Sequence, residues 1–328
     1  MDRILIIQTA SIGDVILTTP VLEALRHDYP DSRIDFMLRK GNEVLFRGHP
    51  YLNTIIQWNK GMLKYFHLLR LIFKVRKQKY DLVVNLQRFF ATGLVTVLSK
   101  GRVTIGFDKN PLSKFFDRRI PHNINLENVH ETQRNLSLVE PLIGPAFYPV
   151  KLYPSTADFE KVKKYKSEPY ITISPASVWF TKQYPKNKWV EFLVSLHDKI
   201  KVYTLGSAAD SALCQEILQK ANFKKAENLA GKLDLLESAA LMKDAKRNLM
   251  NDSAPLHLAS ALNARTTVIF CSTVTDFGFG PLADDSYVVE TDKKLNCRPC
   301  GLHGFSSCPE KHFECALTIE NSKLLYHI

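Results

Sequence analysis

Hydrophobic positions along the chain alternate between short continuous runs and stretches in which they recur every three or four residues. Continuous runs are typical of strands buried on both faces of a parallel sheet, and the wider spacing is typical of helices that pack on such a sheet. Residues 4–7 form the first run, and Val15, Val21 and Leu25 line one side of the helix that follows. The repeated order of strand, helix and strand predicts an α/β fold with parallel sheets.

This alternation occurs twice, once in each half of the chain. The predicted strands cover residues 4–7, 34–38, 54–58, 82–86 and 103–105 in the first half, and 170–174, 202–205, 245–250 and 266–270 in the second. The first predicted helix follows the first strand and ends near residue 26. The other main predicted helices cover 62–78, 89–98, 189–197, 211–221, 235–242 and 319–326. The proline-containing stretch 141–157 is interpreted as a linker. We therefore predict two Rossmann-like domains, 1–150 and 151–328, and the last helix is a candidate to pack back on the first domain.

Residues 251–262 contain the most strongly marked helix start. Asp252 or Ser253 can cap this helix, Pro255 suits its first turn, and a strand is predicted on either side. The unpaired amide groups and the dipole at a helix N-terminus attract anions. For this stretch taken alone, an ordinary capped helix without a ligand is the simpler interpretation.

The loop at residues 8–14 is a second candidate site. Asp14 follows the first strand and is expected at the carboxyl edge of a parallel sheet, where open α/β proteins bind ligands. Gly13 permits another molecule to approach the backbone closely. Asp14 is also a candidate helix cap, and one glycine does not make a dinucleotide-binding fingerprint.

Two α/β halves are expected to face each other across a cleft, with the strand ends of both directed toward it. Asp14 then lies on one side, and the other side holds Ser177, Lys182, Asp210 and Ser253. A carboxylate base opposite an anion site suits group transfer from a phosphate-activated donor.

Positive charge is concentrated in one segment of the chain. The 328 residues carry a formal net charge of +11, and residues 60–119 alone hold 14 Lys and Arg against 3 Asp and Glu. Such a field favours anionic partners, and a solvated basic face is the alternative. The basic helix predicted at 62–78 fits a membrane surface, although a helix packed on the sheet with a lysine-rich outer face is more common. No DNA- or RNA-binding module is recognisable, so nucleic acid is not an expected partner.

The composition, 45% hydrophobic and 23% charged, is that of a globular protein. No apolar run reaches the roughly 18–20 residues that span a bilayer. Because the first predicted strand begins directly after the initial residues, without a signal peptide, we expect a cytoplasmic protein.

Four of the six cysteines cluster near the C-terminus, at Cys297, Cys300, Cys308 and Cys315. Their spacing is similar to that of a metal knuckle, but it is not a standard zinc-finger pattern, and a cytosolic setting disfavours obligate disulfides. Free thiols are the preferred interpretation, and a structural metal or a redox bond is the alternative.

Three motifs and their spacing resemble those of glycosyltransferase family 9, the ADP-heptose:lipopolysaccharide heptosyltransferases. The motifs are residues 11–15 (SIGDV), 229–232 (LAGK) and 251–257 (NDSAPLH). The resemblance covers nearly the whole chain, and it is specific only when the three motifs are taken together. It implies the GT-B fold, in which the first Rossmann-like domain binds the acceptor and the second binds the nucleotide-sugar donor.

The resemblance also implies roles for individual residues. Asp14 matches the carboxylate taken as the general base, a group that typically contributes about 10²–10⁴-fold to a rate. The positions that match the donor site are Ser177, Lys182, Asp210, Asp252, Ser253, Ala254 and His257. Ser11 and Gly13 are assigned to the acceptor. The concentrated positive charge of residues 60–119 further predicts that Lys64, Arg88 and neighbouring basic residues bind the acceptor or a membrane surface.

The implied reaction is inverting transfer of heptose from ADP-heptose to an inner-core lipopolysaccharide acceptor, an anionic glycolipid at the inner membrane. No Asp-x-Asp motif occurs in a suitable loop, so no metal cofactor is expected. The chain departs from the family at Ala254, where glycine is usual, and at residues 271–276 after the next strand, where a Gly-Pro-Thr run is common. Two alternatives stay open: a GT-B transferase with another nucleotide sugar or acceptor, and a nucleotide-sugar-binding homologue without turnover.

Overall fold

The computed structural model describes residues 1–61, 63–124 and 129–328. The chain divides into two compact units, Met1–Tyr153 and Pro154–Ile328, a division three residues beyond the predicted boundary at 150. Each unit holds one six-stranded sheet whose paired strands run parallel. Helices connect most of the successive strands, so each unit is an α/β structure of the Rossmann type.

In the N-terminal unit the strands follow the order β3-β2-β1-β4-β5-β6 across the sheet. The strands are β1 (Arg3–Ile7), β2 (Arg33–Arg39), β3 (Leu52–Trp58), β4 (Leu82–Asn85), β5 (Val103–Phe107) and β6 (Arg118–Ile120). The helices are α1 (Ile12–Ile16), α2 (Thr19–Asp28), α3 (Lys64–Lys77), α4 (Phe90–Leu98), α5 (Glu131–Leu136) and α6 (Glu140–Ile143). Part of the core forms where Leu68 and Ile72 of α3 pack with Leu5 and Val83 of the central strands.

In the C-terminal unit the order is β12-β11-β10-β7-β8-β9. The strands are β7 (Tyr170–Ser174), β8 (Lys201–Thr204), β9 (Ala226–Asn228), β10 (Arg247–Asn251), β11 (Thr266–Ile269) and β12 (Ser286–Val289). The helices are α7 (Thr156–Val162), α8 (Lys186–Ser195), α9 (Ser211–Ala221), α10 (Leu235–Lys243), α11 (Ala254–Ala261), α12 (Glu314–Leu317) and α13 (Asn321–Leu325).

The last helix, α13, packs within its own unit. Leu324 is fully buried in a core that also contains Trp189 of α8 and Ile171 of β7. That this helix packs back on the N-terminal domain stays a prediction; its one buried residue, Leu324, belongs to the C-terminal core.

The predicted first helix is divided into α1 and α2. Pro20 lies in the first turn of α2 and has no N–H to donate to the carbonyl of Ile16. The hydroxyl of Thr19 donates to that carbonyl instead, at 2.8 Å. The helical hydrogen-bond ladder is therefore interrupted between Ile16 and Thr19.

The stretch 141–157 is interpreted from its prolines as a linker, but residues 150–153 are packed and hydrogen-bonded against the N-terminal unit. Val150 and Leu152 are buried, the amide of Lys151 donates to Thr19 Oγ1 at 3.0 Å, and the hydroxyl of Tyr153 donates to Glu23 Oε1 at 2.6 Å. Only the residues from 154 onward belong to the second unit.

The helix predicted at 62–78 is α3, which begins at Lys64; Met62 lies outside the described residues. Within the parts of the chain that the structure describes, no helix combines the length and the apolar character needed to cross a bilayer.

Candidate active site

Each sheet has one point at which the strand order reverses. Open α/β folds bind their ligands at such a point, at the carboxyl ends of the two strands that flank it. In the N-terminal unit the flanking strands are β1 and β4, and in the C-terminal unit they are β7 and β10. The loops after these four strands carry most of the predicted site residues. We call the two places the N-terminal crevice and the C-terminal crevice.

In the N-terminal crevice, Asp14 lies in the first turn of α1 and forms a capping box with Ser11. Its Oδ2 accepts a hydrogen bond from the Ser11 amide at 3.1 Å and a second one from the Ser11 hydroxyl. The carboxylate is half-buried, and Gly13 beside it is buried. The structure therefore brings Ser11, Gly13 and Asp14 together, and it fixes the orientation of the carboxylate from within one turn.

Side-chain amides join the loops after β1 and β4. Thr9 Oγ1 donates to Gln87 Oε1 at 2.7 Å, and Gln87 Nε2 donates to Gln8 Oε1 at 2.5 Å. Arg88 follows Gln87 directly and is half-buried. This predicted acceptor residue therefore belongs to the same crevice as Asp14.

Lys60 is a crevice residue that the sequence did not single out. Its Nζ donates to the carbonyl of Thr9 at 2.7 Å and lies 4.7 Å from the centre of the Trp58 ring. Burial, and secondarily the charge of Arg39, lower the pKa of Lys60. The other predicted acceptor residue, Lys64, is exposed at the start of α3, with its Nζ 5.0 Å from the ring of Tyr65.

In the C-terminal crevice, buried Asn251 fixes the loop that carries Ser177 and Lys182. Its Oδ1 accepts the amide of Tyr184 at 2.9 Å, and its Nδ2 donates to the carbonyl of Pro175 at 2.7 Å. Within the loop, Gln183 Nε2 donates to the carbonyl of Ser177 at 2.6 Å. Asn251, the last residue of β10, thus holds both ends of the loop that follows β7.

Lys182 and Asp252 form a largely buried ion pair in this crevice. The distance from Lys182 Nζ to Asp252 Oδ2 is 2.6 Å, and the side chains are 15% and 8% exposed. The same oxygen accepts a hydrogen bond from Thr273 Oγ1 at 2.7 Å. Thr273 was not predicted as a site residue. It follows β11, and no local motif relates it to Asp252.

Helix α11 begins beside this ion pair. Ser253 is its N-cap residue, with extended backbone and without a side-chain cap hydrogen bond, and its hydroxyl donates to the carbonyl of Asn251 at 3.3 Å. Ala254 is the first residue of the helix, and His257 is buried in its first turn. The cation of Lys182 and the positive end of α11 are therefore neighbours of Asp252.

Asp210 has a capping role in the structure. Its Oδ2 accepts hydrogen bonds from the amide and the hydroxyl of Ser207, at 2.8 Å and 2.7 Å. Gly231, with φ of +78°, lies against this turn, because a Cβ at Gly231 would come within 2.7 Å of the Cα of Ala208. The glycine of the 229–232 motif is therefore required by close backbone contact.

All six cysteines are free thiols. In the C-terminal cluster, Cys297 Sγ lies 3.7 Å from His312 Nε2, and Cys300 Sγ donates to the carbonyl of Cys297 at 3.1 Å. Burial, followed by the nearby Cys300 and Cys308 thiols, raises the pKa of Cys315 to about 12. Cys308 is half-buried.

One group among the described residues brings three potential metal ligands within 4.8 Å of one another, namely Asp158, Asp234 and Glu237. These carboxylates belong to the capping boxes of α7 and α10, and Lys161 Nζ contacts Glu237 Oε1 at 2.6 Å. The group therefore has a structural role at the contact of α7 with α10.

Two Rossmann-like units, each with polar and charged loops at its topological switch point, define the class of protein as a two-domain α/β enzyme of the GT-B type. The solved structure of Escherichia coli ADP-heptose lipopolysaccharide heptosyltransferase II superposes with a TM-score of 0.79 at 21% identity, covering 99% of this chain and 97% of that one. A glycosyltransferase family 9 structure from Veillonella parvula gives a TM-score of 0.83 at 18% identity, covering 99% and 95%.

Residues 68–303 match the model of glycosyltransferase family 9 (heptosyltransferase). Lipopolysaccharide heptosyltransferase 3 of Escherichia coli K12 is 30% identical, over 81% of this chain and 81% of its own length. The chain belongs to glycosyltransferase family 9, and the protein is a glycosyltransferase. The predictions of family, enzyme class and GT-B fold are confirmed.

Proposed function

We propose that this protein transfers a heptose from ADP-heptose to an inner-core lipopolysaccharide acceptor, with inversion at the anomeric carbon and without a metal ion. The relative from Escherichia coli K12 is a lipopolysaccharide heptosyltransferase, and a structure with the same fold is an ADP-heptose enzyme. We assign the acceptor to the N-terminal unit and the donor to the C-terminal unit.

The observation that carries the donor assignment is the Lys182–Asp252 ion pair at the switch point, beside the start of α11. When the bond from the sugar to the diphosphate breaks, negative charge develops on the departing phosphate oxygen. A fixed ammonium and the amides of a helix N-terminus stabilise such charge, most strongly where water is excluded. Asp252 holds the ammonium of Lys182 at 2.6 Å before the donor arrives.

Asp14 is proposed as the general base. An acceptor hydroxyl becomes a good nucleophile when a carboxylate removes its proton as the bond to the anomeric carbon forms. The proton goes to Asp14, the new glycosidic bond forms, and the bond to ADP breaks with its electron pair on the phosphate oxygen. The two hydrogen bonds from Ser11 fix the carboxylate before reaction, which avoids reorganisation in the transition state.

Peripheral contact with the inner membrane surface is proposed for α3. Its inner side packs on the sheet, and its outer side leaves Tyr65, Phe66, Leu69 and Phe73 between 50% and 68% exposed. Lys64, Arg70 and Lys74 are interspersed with them. The outer side is thus aromatic as well as basic, whereas the commoner alternative was a lysine-rich solvated face. Aromatic side chains flanked by cations suit an anionic lipid surface.

Sedimentation with vesicles tests this contact. Phe66→Ser with Phe73→Ser is expected to abolish most binding to phosphatidylglycerol vesicles, while Tyr326→Ser, which changes an 86% exposed tyrosine of the C-terminal unit, leaves binding unchanged. Equal binding by the wild type and the double variant would show that α3 is only a solvated helix.

Nucleotide titration and a transfer assay test the donor. We expect ADP to bind at least about tenfold more tightly than UDP or GDP, and heptose transfer from ADP-heptose to persist in EDTA. Tighter binding of UDP or GDP would favour a different nucleotide sugar. Loss of transfer in EDTA with recovery on adding Mg²⁺ would contradict metal independence.

A further inference from the structure

The cysteine-containing segment lies against the loop that carries Lys182. Its residues 298–305, which we call the bridging segment, contact Thr181, the residue before Lys182. The amide of Thr181 donates to the carbonyl of Phe305 at 3.1 Å, and Thr181 Oγ1 accepts the amide of Phe305 at 2.8 Å. Thr181 is 1% exposed. The turn that presents Lys182 is thus hydrogen-bonded on one side to a segment more than a hundred residues away in sequence.

Gly304 brings the bridging segment into direct contact with this turn. Its φ is +74°, and a Cβ added there would lie 2.8 Å from Thr181 Oγ1 and 3.0 Å from Lys182 Cγ. A distance below 3.0 Å to a fixed atom requires a shift, and Thr181 Oγ1 is held by two hydrogen bonds. Any side chain at position 304 would therefore press on Thr181 and Lys182.

The bridging segment is also fixed to the loop after β11. Arg298 donates to the carbonyls of Cys271 and Thr273, at 2.8 Å and 2.9 Å. The amide of Cys300 donates to the carbonyl of Ser272 at 2.8 Å. Thr273 in turn donates to Asp252, the partner of Lys182. The segment thus connects the two loops on which the Lys182–Asp252 pair depends.

We propose that the bridging segment positions Lys182 for the donor diphosphate, with Gly304 and Thr181 as positioning residues. This inference rests on the proposed function, in which Lys182 binds that diphosphate. It gives the cysteine-containing segment a role that does not depend on metal binding or on thiol chemistry.

Gly301 provides a matched control. Its φ of +66° also falls in the left-handed region, so alanine is strained at both positions, but the nearest atom to an added Cβ is Phe305 Cζ at 3.9 Å. Gly304→Ala and Gly301→Ala therefore impose similar backbone strain, and only the first presses on the Lys182 turn.

The experiment measures the ADP dissociation constant by titration calorimetry, the donor KM and kcat, and the melting temperature of both variants, with Lys182→Met in parallel. We expect Gly304→Ala to weaken ADP binding about 5–20-fold and raise the donor KM, and Gly301→Ala to stay within about twofold. Equal ADP affinities in the two glycine variants, with Lys182→Met impaired, would overturn the role of the segment. Unchanged affinity in Lys182→Met would overturn the proposed function itself, and the inference with it.

Thr181→Val provides a second measurement if Gly304→Ala does not fold. It removes the acceptor for the Phe305 amide, and Thr181→Ser should restore binding. Thr267→Val is its control, because Thr267 is fully buried and its hydroxyl has no hydrogen-bond partner among the described residues. Weakened ADP binding in Thr181→Val alone supports the inference, and the same affinity in both valine variants contradicts it.

Discussion

The two crevices differ in how their charged side chains are held. Asp14 is oriented by Ser11, three residues before it in the same turn. Lys182 is held by Asp252, which lies 70 residues further along the chain and is itself bound by Thr273. The N-terminal group is half-buried, while the C-terminal pair is almost removed from solvent.

This difference matches two chemical tasks. A base that receives a proton from an incoming acceptor works when it is oriented and reachable. A cation that stabilises a departing diphosphate is more effective in a site with little water, where charges interact more strongly. We therefore expect substitutions in the N-terminal crevice to act on turnover and on the acceptor, and those in the C-terminal crevice to act on the donor.

The largest effect is expected from Asp14→Asn. Loss of the base should lower the transfer rate about 10²–10⁴-fold and leave the ADP dissociation constant unchanged. Asp158→Asn is the matched control, because Asp158 forms the same kind of capping box with Ser155. It should lower the melting temperature and preserve kcat. Near-normal transfer by Asp14→Asn would mean that Asp14 serves only as a cap.

Charge reversal at Arg88 should affect the acceptor alone. Arg88→Glu places a negative charge at the carboxyl end of β4, and we expect the acceptor KM to rise about tenfold with the donor KM unchanged. Arg102→Glu makes the same change at an exposed residue just before β5, at the opposite end of the sheet. An acceptor KM raised equally by both variants would indicate a general charge effect.

A smaller effect is expected at Thr273. Thr273→Val removes one hydrogen bond to Asp252, worth about 1 kcal/mol, and should raise the donor KM about fivefold with little change in the acceptor KM. Thr273→Ser should restore the wild-type donor KM, and Thr267→Val in the adjoining strand should leave the donor KM unchanged. If Thr273→Ser keeps the raised donor KM, the effect of Thr273→Val comes from altered packing and not from the lost hydrogen bond.

A separate effect, on stability and not on activity, concerns the N-terminal unit. Burial lowers the pKa of His49 to about 4 from 6.5, beside the rings of Phe46 and Tyr153. Between these values the unfolded chain binds a proton that the folded chain does not, so stability falls as the pH falls. The loss from pH 7 to pH 5 should be about 2 kcal/mol.

Denaturant unfolding, followed by amide exchange in the N-terminal unit, measures this loss. It should shrink in His49→Gln and remain in His27→Gln, which changes an exposed histidine of the same unit. An unchanged acid dependence in His49→Gln would show that other groups cause it.

The same contrast explains which features were predictable from sequence. The buried strands β1 and β4 are largely apolar runs, β7 and β11 are rich in β-branched residues, and the capping role of Asp14 follows from a serine three residues earlier. The edge strands β6, β9 and β12 escaped prediction, because each is only three or four residues long and most of their side chains are partly or fully exposed. Local patterns also gave no indication of contacts between distant loops, such as Thr273 with Asp252 or Gly304 with Lys182.

The central claim is that the N-terminal crevice supplies the base and the C-terminal crevice binds the donor. It is tested most directly by the ADP dissociation constants of Asp14→Asn and Lys182→Met, measured side by side with the wild type by titration calorimetry. We expect the Asp14 variant to bind ADP as the wild type does, and the Lys182 variant to bind it about 10–100-fold more weakly, since a charge-assisted hydrogen bond is lost. Unchanged ADP affinity in Lys182→Met, or a loss confined to Asp14→Asn, would contradict this division.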